Sequence, residues 1–507
     1  MTTRLLPLGT LSVGSLLAER AADHPDDVFV VYENEVGTTT FSYGATLDLA
    51  YRGAAALRSL GIDHGDRFGM VVGNRPEFLA CWFGASLIGA VMVPMNPQST
   101  VHELTFMLGH SKCLAVIADE DRADDVRAAT GVPVVALGDE FDARAVQAPT
   151  MSPTAIDPRE PLAVLYTSGT TSLPKGVVVT HANYLIAGEV IAQQVRMRSD
   201  DRWLVVLPMF HANAQYYSTM SALVSGASIA LMHRFSASAW GAQAQRHGAT
   251  LGSLFAAPIR MILAQTYEPA DAPQSLRATY FAQNLTSQQL DEFERRFGCP
   301  LVQWYGMTET IAPPVANPLY RRRDNMTIGQ PTGTTVRVVD QAGNDLDVGG
   351  VGELLVAGVP GVTLMAGYLD DEVATAKAVR DGWLHTGDMV RIEPTGALAF
   401  FDREKDMIKR SGENVAAAEV ERVVNEHPAV FESAAVGVPD DIRDEAIKVF
   451  VVLHQGASAA EDDILEFCRE RLVRFKVPSY VEFVDGLPRT SVGKIRKNVL
   501  RTGKDDQ

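Results

Sequence analysis

YTSGTTSLPKGVVVTH, residues 166–181, gathers hydroxylated residues and glycines and then places a single Lys175 between a proline and a glycine. Apolar, β-prone runs lie on both sides, PLAVLYT (161–167) and VVVTH (177–181), so we predict a loop joining two strands, with the next helix beginning near Asn183. A Walker A loop requires Gly-Lys-Ser/Thr followed at once by a helix, and this arrangement excludes a P-loop NTPase. Glycine N–H groups, hydroxyls and a lysine are nevertheless the groups that bind phosphate; a flexible surface hairpin is the alternative.

Outward from this loop, short apolar runs alternate with helix-length amphipathic segments. This alternation predicts α/β layers built on largely parallel sheets. From Ile328 short strands and turns follow one another, as in VRVVDQAGNDLDVGGVGELLVAG (336–358), which predicts a β-rich subdomain. After Phe401 the charged stretch DREKDMIKRSGEN (402–414) predicts an exposed crossing into a further domain. The strands predicted in the first part are FGMVVG (68–73), VMVPMN (91–96), LAVIAD (114–119), VPVVALG (132–138), WLVVLPM (203–209) and ASIALM (227–232).

The composition limits the class of protein. The chain has 507 residues, 46% of them apolar, and a formal net charge of −17 from 62 acidic and 45 basic residues. Its length predicts more than one domain, and its acidity argues against nonspecific binding to nucleic acid or to an anionic membrane. The four cysteines lie far apart, as expected of reduced thiols in the cytosol. The uncharged stretch 78–95 is close to the length of a membrane span, but its glycines and proline favour a buried helix followed by a strand. We therefore expect a soluble, cytoplasmic protein.

Further motifs follow in order along the chain, and together they resemble the signatures of the adenylate-forming superfamily, which includes acyl-CoA synthetases, nonribosomal adenylation domains and luciferases. They are TSGTTSLPKG (167–176), YGMTE (305–309), GWLHTGD (382–388), DREKDMIKRSGEN (402–414) and PRTSVGKIRK (488–497). Ser172 stands where the family usually has glycine. That position, together with YFAQNLTS (280–287) and LPMFHANAQ (207–215), is most similar to the crotonobetaine/carnitine-CoA ligase branch.

The resemblance implies an α/β fold in two domains. The large N-terminal domain (1–402) consists of two α/β sheet subdomains plus a β-rich subdomain. A small, mobile α+β C-terminal domain (403–507) follows it. In the family the pivot lies two residues after the arginine of the crossing motif, which here is Lys405. A homodimer is compatible with the sequence.

The resemblance also implies ATP-dependent activation of a carboxylic acid to acyl-AMP with release of pyrophosphate. A carboxylate and a triphosphate repel each other, so catalysis consists mostly of positioning and charge neutralisation. By resemblance, Lys494 contacts the acyl carboxylate and the α-phosphate, Thr308 bonds a phosphate oxygen, and Glu309 holds Mg²⁺. Asp388, in a Gly-Asp turn after a strand, accepts hydrogen bonds from the ribose hydroxyls; Arg403 contacts ribose or phosphate, with an interdomain salt bridge as its alternative. The implied ATP- and AMP-binding residues are Thr167, Ser168, Gly169, Thr170, Thr171, Lys175, Asn284, Tyr305, Gly306, Thr308, Asp388, Arg403 and Lys494.

The acid pocket is expected around LPMFHANAQ and YFAQNLTS. His211 is expected to be a wall or gate of this pocket and not a general base. Few of the side chains concerned are purely aliphatic, which favours a short polar or aromatic acid over a long fatty acyl chain. A quaternary ammonium group would need an aromatic cage, for which Tyr216, Tyr217 and Trp304 are candidates; asparagine and glutamine would suit a hydroxyl or amino substituent on an aromatic acid. The candidate pocket residues are His211, Asn213, Gln215, Tyr216, Tyr217, Phe255, Pro258, Gln283, Asn284 and Met307.

The acceptor of the acyl group is expected to be coenzyme A. Ser411, Gly412, Glu413 and Asn414 resemble the loop that lines the pantetheine tunnel of CoA ligases. Transfer of the adenylate to a carrier protein or to an amine, including activation of nitrite, stays open as an alternative. A nucleotide-binding regulator without catalysis is a third alternative. The expected partner is a small-molecule carboxylic acid, with no nucleic acid and no membrane.

Overall fold

The computed structural model describes residues 9–145, 154–167, 174–266, 274–403, 406–410, 413–440, 444–490 and 495–502. Its α-helices are α1 (Val13–Asp23), α2 (Tyr43–Ser59), α3 (Pro76–Ile88), α4 (Val101–Ser111), α5 (Ala123–Ala129), α6 (Asp139–Arg144), α7 (His181–Val195), α8 (Met220–Ser225), α9 (Trp240–Arg246), α10 (Ala256–Leu263), α11 (Ser287–Phe297), α12 (Glu372–Ala378), α13 (Ala417–Asn425), α14 (Glu461–Arg469) and α15 (Lys497–Thr502). Its strands are β1 (Val28–Glu33), β2 (Thr38–Ser42), β3 (Arg67–Val71), β4 (Val91–Pro94), β5 (Val116–Ala118), β6 (Val134–Ala136), β7 (Pro161–Thr167), β8 (Lys175–Thr180), β9 (Arg202–Val205), β10 (Ser228–Met232), β11 (Leu251–Phe255), β12 (Ala278–Ala282), β13 (Leu301–Tyr305), β14 (Val315–Ala316), β15 (Gln330–Pro331), β16 (Val336–Val339), β17 (Val351–Ala357), β18 (Gly367–Tyr368), β19 (Val379–Arg380), β20 (Trp383–Ile392), β21 (Leu398–Arg403), β22 (Ile408–Arg410), β23 (Glu413–Val415), β24 (Val430–Asp440), β25 (Asp444–Leu453) and β26 (Tyr480–Phe483).

Two sheets dominate the N-terminal part of the chain, and both are largely parallel. Among the described residues, one has the strand order β18-β8-β7-β4-β3-β5-β6 and the other β15-β14-β13-β12-β11-β9-β10-β1-β2. Parallel pairing extends from β7 to β6 in the first sheet and from β13 to β1 in the second, with antiparallel strands at the edges. Parallel neighbours require crossover connections, usually helices, so this topology confirms the predicted α/β layers.

The uncharged stretch that is close to the length of a membrane span is α3 followed by β4, as predicted. All residues of α3 from Phe78 to Ile88 are buried, because the helix packs inside the largest hydrophobic core together with residues of both sheets. A glycine allows α2 to approach it: a Cβ on Gly53 would lie 2.0 Å from the carbonyl oxygen of Ala80. No helix in the described ranges is long and apolar enough to cross a membrane.

Two smaller sheets follow in the chain. The first has the order β16-β17-β20-β19, with β21 paired to β20, and is antiparallel. It is the β-rich subdomain predicted from Ile328 onward. The second, β23-β22-β25-β24 with β26 beside β25, packs against α13 and α14 around a core of its own. The fold class is therefore the predicted one, a large α/β N-terminal domain with a β-rich part and a smaller C-terminal domain.

The nine-stranded sheet of the described residues determines where the candidate site lies. β9, β11, β12 and β13 are parallel neighbours, so their carboxyl ends meet at one edge. Phe255 ends β11, Gln283 follows β12 and Gly306 follows β13. In open α/β sheets ligands bind outside this edge, because loops from different strands converge there.

Candidate active site

The loop between β7 and β8 is bounded by two predicted phosphate-binding residues. The strands are antiparallel and pair Thr167 with Lys175, which confirms a loop between two strands. A Cβ added at Gly176 would lie 2.7 Å from the Val164 side chain, so the residue after the lysine has to be small for the strands to pair here. Lys175 therefore stands at the first position of β8, directly beside the end of the loop.

A capping box fixes the helix that follows β8. The Thr180 side chain accepts a hydrogen bond from the Asn183 N–H at 3.0 Å, and the Asn183 side chain accepts one from the Thr180 N–H at 3.1 Å. Because of this cap α7 begins at His181, two residues before the predicted start. The Asn183 amide also donates to the carbonyl oxygens of Val362 and Leu364, at 2.8 and 2.9 Å, which ties the helix to the segment that leads into β18.

Glu309 lies in a single 3₁₀ turn, Thr308–Thr310, close after the end of β13. Its side chain is buried, and the Tyr368 hydroxyl donates a hydrogen bond to Oε1 at 3.0 Å. Burial and the neighbouring charge of Glu309 raise the pKa of Tyr368, so the phenol stays protonated and is the donor. Lys175 lies over the face of the same ring, with Nζ 4.7 Å from the ring centroid. One tyrosine thus brings the predicted metal ligand and the predicted phosphate-binding lysine together.

The surroundings of Glu309 limit the kind of metal ion that fits. The described residues contain no group of three or more His, Cys, Asp or Glu side chains able to hold a metal ion by themselves. Mg²⁺ typically binds one or two protein carboxylates and completes its shell with phosphate oxygens and water. The buried carboxylate of Glu309, beside Thr308 and in contact with the tyrosine that also contacts Lys175, therefore fits Mg²⁺ that arrives with a polyphosphate.

A β-bulge carries Asp388, and the strand-end turn predicted at this residue is wrong because β20 continues through it. Residues 386–388 lie opposite a single residue of β17. Gly387 takes a φ of +68°, which favours glycine, and its N–H donates to Glu353 Oε1 at 3.0 Å. The other oxygen of Glu353 lies 2.9 Å from His385 Nδ1. Glu353 therefore holds the bulge from the neighbouring strand.

Asp388 is buried and accepts a hydrogen bond from the Tyr305 hydroxyl at 2.5 Å. This contact joins the YGMTE and GWLHTGD motifs across 83 residues of sequence. Arg403, the predicted ribose or phosphate ligand, ends β21 and pairs with Asp388 in the strand register. A carboxylate beside a phenol ring offers acceptors for neighbouring hydroxyls and a flat apolar surface for a base.

Tyr216, Tyr217, Tyr280 and Trp304 form what we call the aromatic wall. Tyr217 packs edge-on against Trp304 with ring centroids 4.9 Å apart, and Trp304 stacks on Tyr280 at 4.6 Å. Tyr216 contacts Tyr217 at 6.3 Å. A Cβ added at Gly306 would lie 2.9 Å from the Tyr217 hydroxyl, so the wall reaches the backbone of the YGMTE motif.

Three polar atoms of the aromatic wall have no hydrogen-bond partner among the described residues. They are the hydroxyls of Tyr216 and Tyr280 and the indole N–H of Trp304, and all three side chains are buried. A buried donor without a partner costs about 1–3 kcal/mol. The aromatic wall is therefore not purely apolar, because it carries three polar atoms that the described protein leaves without a bond.

The predicted pocket residues Asn213 and Gln215 lie in a π-helical turn that precedes α8. Gln215 is fully buried, and the protein uses both ends of its amide: the Tyr184 hydroxyl donates to Oε1, and Nε2 donates to the Met209 carbonyl at 2.6 Å. Asn213 Oδ1 accepts a hydrogen bond from Ser253 at 2.9 Å. π-Helical turns are rare and occur frequently at functional sites, which is consistent with the position of this turn after β9.

Other predicted pocket residues border the same edge of the sheet. His211 is partly exposed and its ring lies 4.3 Å from that of Phe210. Phe255, Pro258 and Met307 are also partly exposed.

The backbone at the end of β12 is strained. Gln283 takes a φ of +79°, and its carbonyl oxygen accepts a hydrogen bond from the Gln303 side chain at 3.0 Å. Asn284 is exposed, and its carbonyl oxygen accepts a hydrogen bond from Arg260 at 2.7 Å. A left-handed conformation at a residue other than glycine is uncommon and concentrates at functional sites, where the surroundings hold it.

Only part of the predicted CoA loop lies in the described ranges. Glu413 and Asn414 belong to β23, where they pair in register with Arg410 and Lys409. The predicted residues that lie outside the described ranges are Ser168, Gly169, Thr170, Thr171, Lys405, Ser411, Gly412 and Lys494.

Two residues that contact the site, Tyr368 and Glu353, were not expected from the sequence. Tyr368 lies in AGYLDD (366–371), where nothing distinguishes it from a core tyrosine. Glu353 lies in the apolar strand segment GELLVAG (352–358), and a carboxylate inside such a strand needs a partner. A carboxylate in an apolar strand is the only sequence feature that pointed to Glu353, and this feature does not identify the residue that Glu353 contacts.

Family models and curated relatives both match this chain over most of its length. The family model described as AMP-binding enzyme matches residues 17–369, and the model described as AMP-binding enzyme C-terminal domain matches residues 419–494. A crotonobetaine/carnitine–CoA ligase of Salmonella typhimurium is 34% identical over 514 residues, which cover 97% of this chain and 99% of that protein.

Solved structures with similar folds include two states of one protein. ATP-bound MatB from Rhodopseudomonas palustris superposes with a TM-score of 0.89 at 26% identity, covering 98% of this chain and 99% of that chain. Apo MatB gives a TM-score of 0.76 at 26% identity, with coverage of 97% and 99%. A benzoate CoA ligase from Burkholderia xenovorans LB400 gives a TM-score of 0.88 at 26% identity, covering 97% of this chain and 100% of that chain.

Proposed function

This chain belongs to the AMP-binding enzyme family, and from that premise we propose the reaction that it catalyses. It is an AMP-forming acid–CoA ligase. It activates a carboxylic acid with ATP to give an acyl-AMP and pyrophosphate, and it then transfers the acyl group to the thiol of coenzyme A.

The observation that supports this proposal most directly is the contact between Asp388 and Tyr305 at 2.5 Å. It puts a buried carboxylate and an aromatic ring side by side at the edge of the sheet where ligands bind. An ionised carboxylate accepts hydrogen bonds from both ribose hydroxyls, and the ring offers a surface for adenine.

The first step requires charge neutralisation more than covalent help. A carboxylate oxygen of the acid attacks the α-phosphorus of ATP, the bond to the bridging oxygen breaks, and pyrophosphate leaves. Lys175 and the loop before it offset the charge of the β- and γ-phosphates, and Thr308 donates a hydrogen bond to a phosphate oxygen. Lys494 offsets the charge that gathers between the acid and the α-phosphate. Mg²⁺, which Glu309 would hold, supplies further neutralisation of phosphate charge when it is bound.

In the second step the thiolate of coenzyme A attacks the acyl carbon, a thioester forms, and AMP leaves with the electron pair of the broken bond. We propose residues 411–414 for the approach of the thiol, because they resemble the loop that lines the pantetheine tunnel of CoA ligases. Arg403 stays with the nucleotide in this proposal, because its backbone is paired with that of Asp388.

The acid is a short polar or aromatic one. The aromatic wall and its unpartnered hydroxyl and indole groups support a compact pocket with polar positions. Among the relatives, one protein is named for crotonobetaine and carnitine and another for benzoate. Aromatic faces suit a quaternary ammonium group through cation–π attraction and an aromatic acid through stacking, so both chemistries belong in a substrate screen.

The enzyme works in the cytoplasm. Its four cysteines are buried free thiols, which suits a reducing compartment.

ATP–pyrophosphate exchange tests this function. Purified protein with Mg²⁺ and ATP is screened against crotonobetaine, carnitine, benzoate, anthranilate, malonate and palmitate, and active mixtures are then given coenzyme A and analysed by mass spectrometry. We expect exchange with at least one of the five short acids, little with palmitate, and a thioester of the active acid. ATP binding without exchange for any acid would instead favour a nucleotide-binding regulator. Exchange without a thioester would favour a carrier protein or an amine as acceptor.

A further inference from the structure

We infer that Tyr368 is a positioning residue for the first half-reaction: its hydroxyl orients the carboxylate of Glu309 and its ring seats the ammonium group of Lys175. The inference rests on the proposed function, because it concerns the residues that would hold Mg²⁺ and the phosphates of ATP. Tyr368 itself need touch neither ligand.

The two contacts use different parts of one side chain. The hydroxyl lies 3.0 Å from Glu309 Oε1, and the ring centroid lies 4.7 Å from Lys175 Nζ. A phenol hydroxyl is a neutral donor, so it fixes the carboxylate without cancelling its charge. The ring face attracts the ammonium group through its quadrupole, again without a formal charge.

The position of Tyr368 bears on the opposite charges of Lys175 and Glu309. Lys175 and Glu309 contact the same side chain and carry opposite charges, and such charges attract each other more in a partly buried site because the effective dielectric constant there is below that of water. If Lys175 and Glu309 satisfied each other, neither would be available to ATP or to a metal ion. Tyr368 contacts both groups and carries no formal charge of its own, so neither contact cancels the charge that a ligand would need.

The backbone around Tyr368 is held in place on two sides. The Leu369 N–H donates to the Gly176 carbonyl at 2.8 Å, and the Ala366 N–H donates to the Val178 carbonyl at 2.9 Å, both on β8. The Met365 N–H donates to the carbonyl of Glu309 itself at 3.0 Å. β18 is therefore bonded to the strand that carries the lysine, and the residues before it are bonded to the turn that carries the glutamate.

The decisive variants separate the two contacts. Tyr368→Phe keeps the ring under Lys175 and removes the hydroxyl, whereas Tyr368→Leu removes both. Tyr32→Phe is the matched control. Tyr32 lies on β1 of the other large sheet, and its hydroxyl contacts His233 at 3.1 Å. Circular dichroism melting curves establish that each variant is folded.

Binding is measured by calorimetry of ATP at a series of Mg²⁺ concentrations and by electron paramagnetic resonance of Mn²⁺ in the presence of ATP. We expect Tyr368→Phe to raise the metal concentration for half-maximal binding roughly tenfold, because mutating a residue that hydrogen-bonds to a metal ligand typically weakens metal affinity by that much. Metal-free ATP binding should stay within about twofold of wild type. Tyr368→Leu is expected to weaken metal-free ATP binding as well.

Metal dependence of Tyr368→Phe equal to that of Tyr32→Phe would overturn the role of the hydroxyl. Equal losses of metal-free ATP binding in the Phe and Leu variants would overturn the separate role of the ring. Failure of the proposed function is recognised separately, because the wild-type protein would then show no ATP–pyrophosphate exchange with any of the screened acids, whatever the metal dependence of its ATP binding.

Discussion

Tyr305 and Tyr368 make the same kind of contact, a hydrogen bond from a tyrosine hydroxyl to a buried carboxylate. Tyr305 donates to the carboxylate of Asp388 and Tyr368 to that of Glu309, at 2.5 and 3.0 Å. Hydrogen bonds to a charged acceptor are stronger than those between neutral groups, so a tyrosine fixes a carboxylate effectively. Because the donor is neutral, the carboxylate keeps the charge that the proposed contacts with ribose hydroxyls and with a metal ion would require.

Lys494 gives the sharpest prediction for a single residue. Replacing Lys494 with alanine is expected to reduce acyl-AMP formation about 10²- to 10³-fold, because one charge that stabilises the first transition state is lost. Transfer from supplied acyl-AMP to coenzyme A should be unaffected. Exchange kinetics and a separate thioester assay on one preparation measure the two steps, and equal losses in both would contradict the assignment.

Glu309→Gln keeps the shape of the side chain and the acceptor for Tyr368 but removes the negative charge. We expect a higher Mg²⁺ requirement and slower exchange, with a melting temperature close to that of wild type. The measurement is the exchange rate as a function of Mg²⁺ concentration at constant ATP. An unchanged magnesium dependence would remove Glu309 from the metal site.

Individual site residues were predictable from sequence only where a motif surrounds them. Glu309 and Asp388 are candidates because YGMTE and GWLHTGD resemble family motifs; in isolation each would be taken for an ordinary surface or turn carboxylate. The partners are different: Tyr305 was expected to bind nucleotide, but its bond to Asp388 spans 83 residues of chain. Tyr368 was not expected at all, since its role comes from β18 pairing with β8, and pairing between distant strands leaves no local pattern.

At the scale of elements, the bulge in β20 is the feature that carries Asp388, the residue proposed to bind the ribose. Glu353 of β17 binds the Gly387 N–H and the His385 ring, and thereby holds the extra residues that carry Asp388. Bulges re-aim side chains and are frequent beside active sites.

Glu353→Ala tests this role of the bulge. We expect weaker ATP binding, seen as a raised KM in exchange, and a loss of stability of about 1 kcal/mol from the missing hydrogen bonds. Glu353→Gln retains an acceptor for Gly387 and should lie between wild type and the alanine variant. Urea unfolding and KM for ATP are the two readouts. If KM stays constant while stability falls, the bulge supports the fold but does not set the position of Asp388.

The elements themselves were largely predictable, because their hydrophobic patterns are strong. The buried α3 and the strands on either side of the Thr167–Lys175 loop are examples. The start of α7 was predicted two residues too late, since the cap at Thr180 was not recognised. The course of β20 was missed because Gly387 indicates a turn in any local interpretation, whereas pairing on both sides continues the strand through it.

At the scale of the whole molecule, the arrangement of the two domains can be compared with two states of a relative. The chain superposes better on ATP-bound MatB than on apo MatB, with TM-scores of 0.89 and 0.76. The C-terminal domain approaches the last strand of the β-rich sheet, where the Ala418 N–H donates to Asp402 at 3.3 Å. We propose that this is the arrangement for acyl-AMP formation, and that thioester formation needs a rotation about Lys405.

Lys405→Pro tests that rotation. Proline fixes φ near −65° and restricts a hinge that must change its backbone angles. We expect substantial ATP–pyrophosphate exchange and the loss of most thioester formation, measured on one preparation whose fold is checked by circular dichroism. Parallel loss of both steps would count against a hinge at this residue, and so would full retention of both.

The central claim is that the acid is activated as an acyl-AMP before coenzyme A accepts it. The most direct test uses the active acid from the exchange screen, labelled with oxygen-18 in its carboxylate, in a complete reaction with ATP and coenzyme A. If the carboxylate oxygen attacks the α-phosphorus, the AMP that leaves carries one labelled oxygen, and mass spectrometry detects it. Unlabelled AMP, or label found in inorganic phosphate, would contradict the account.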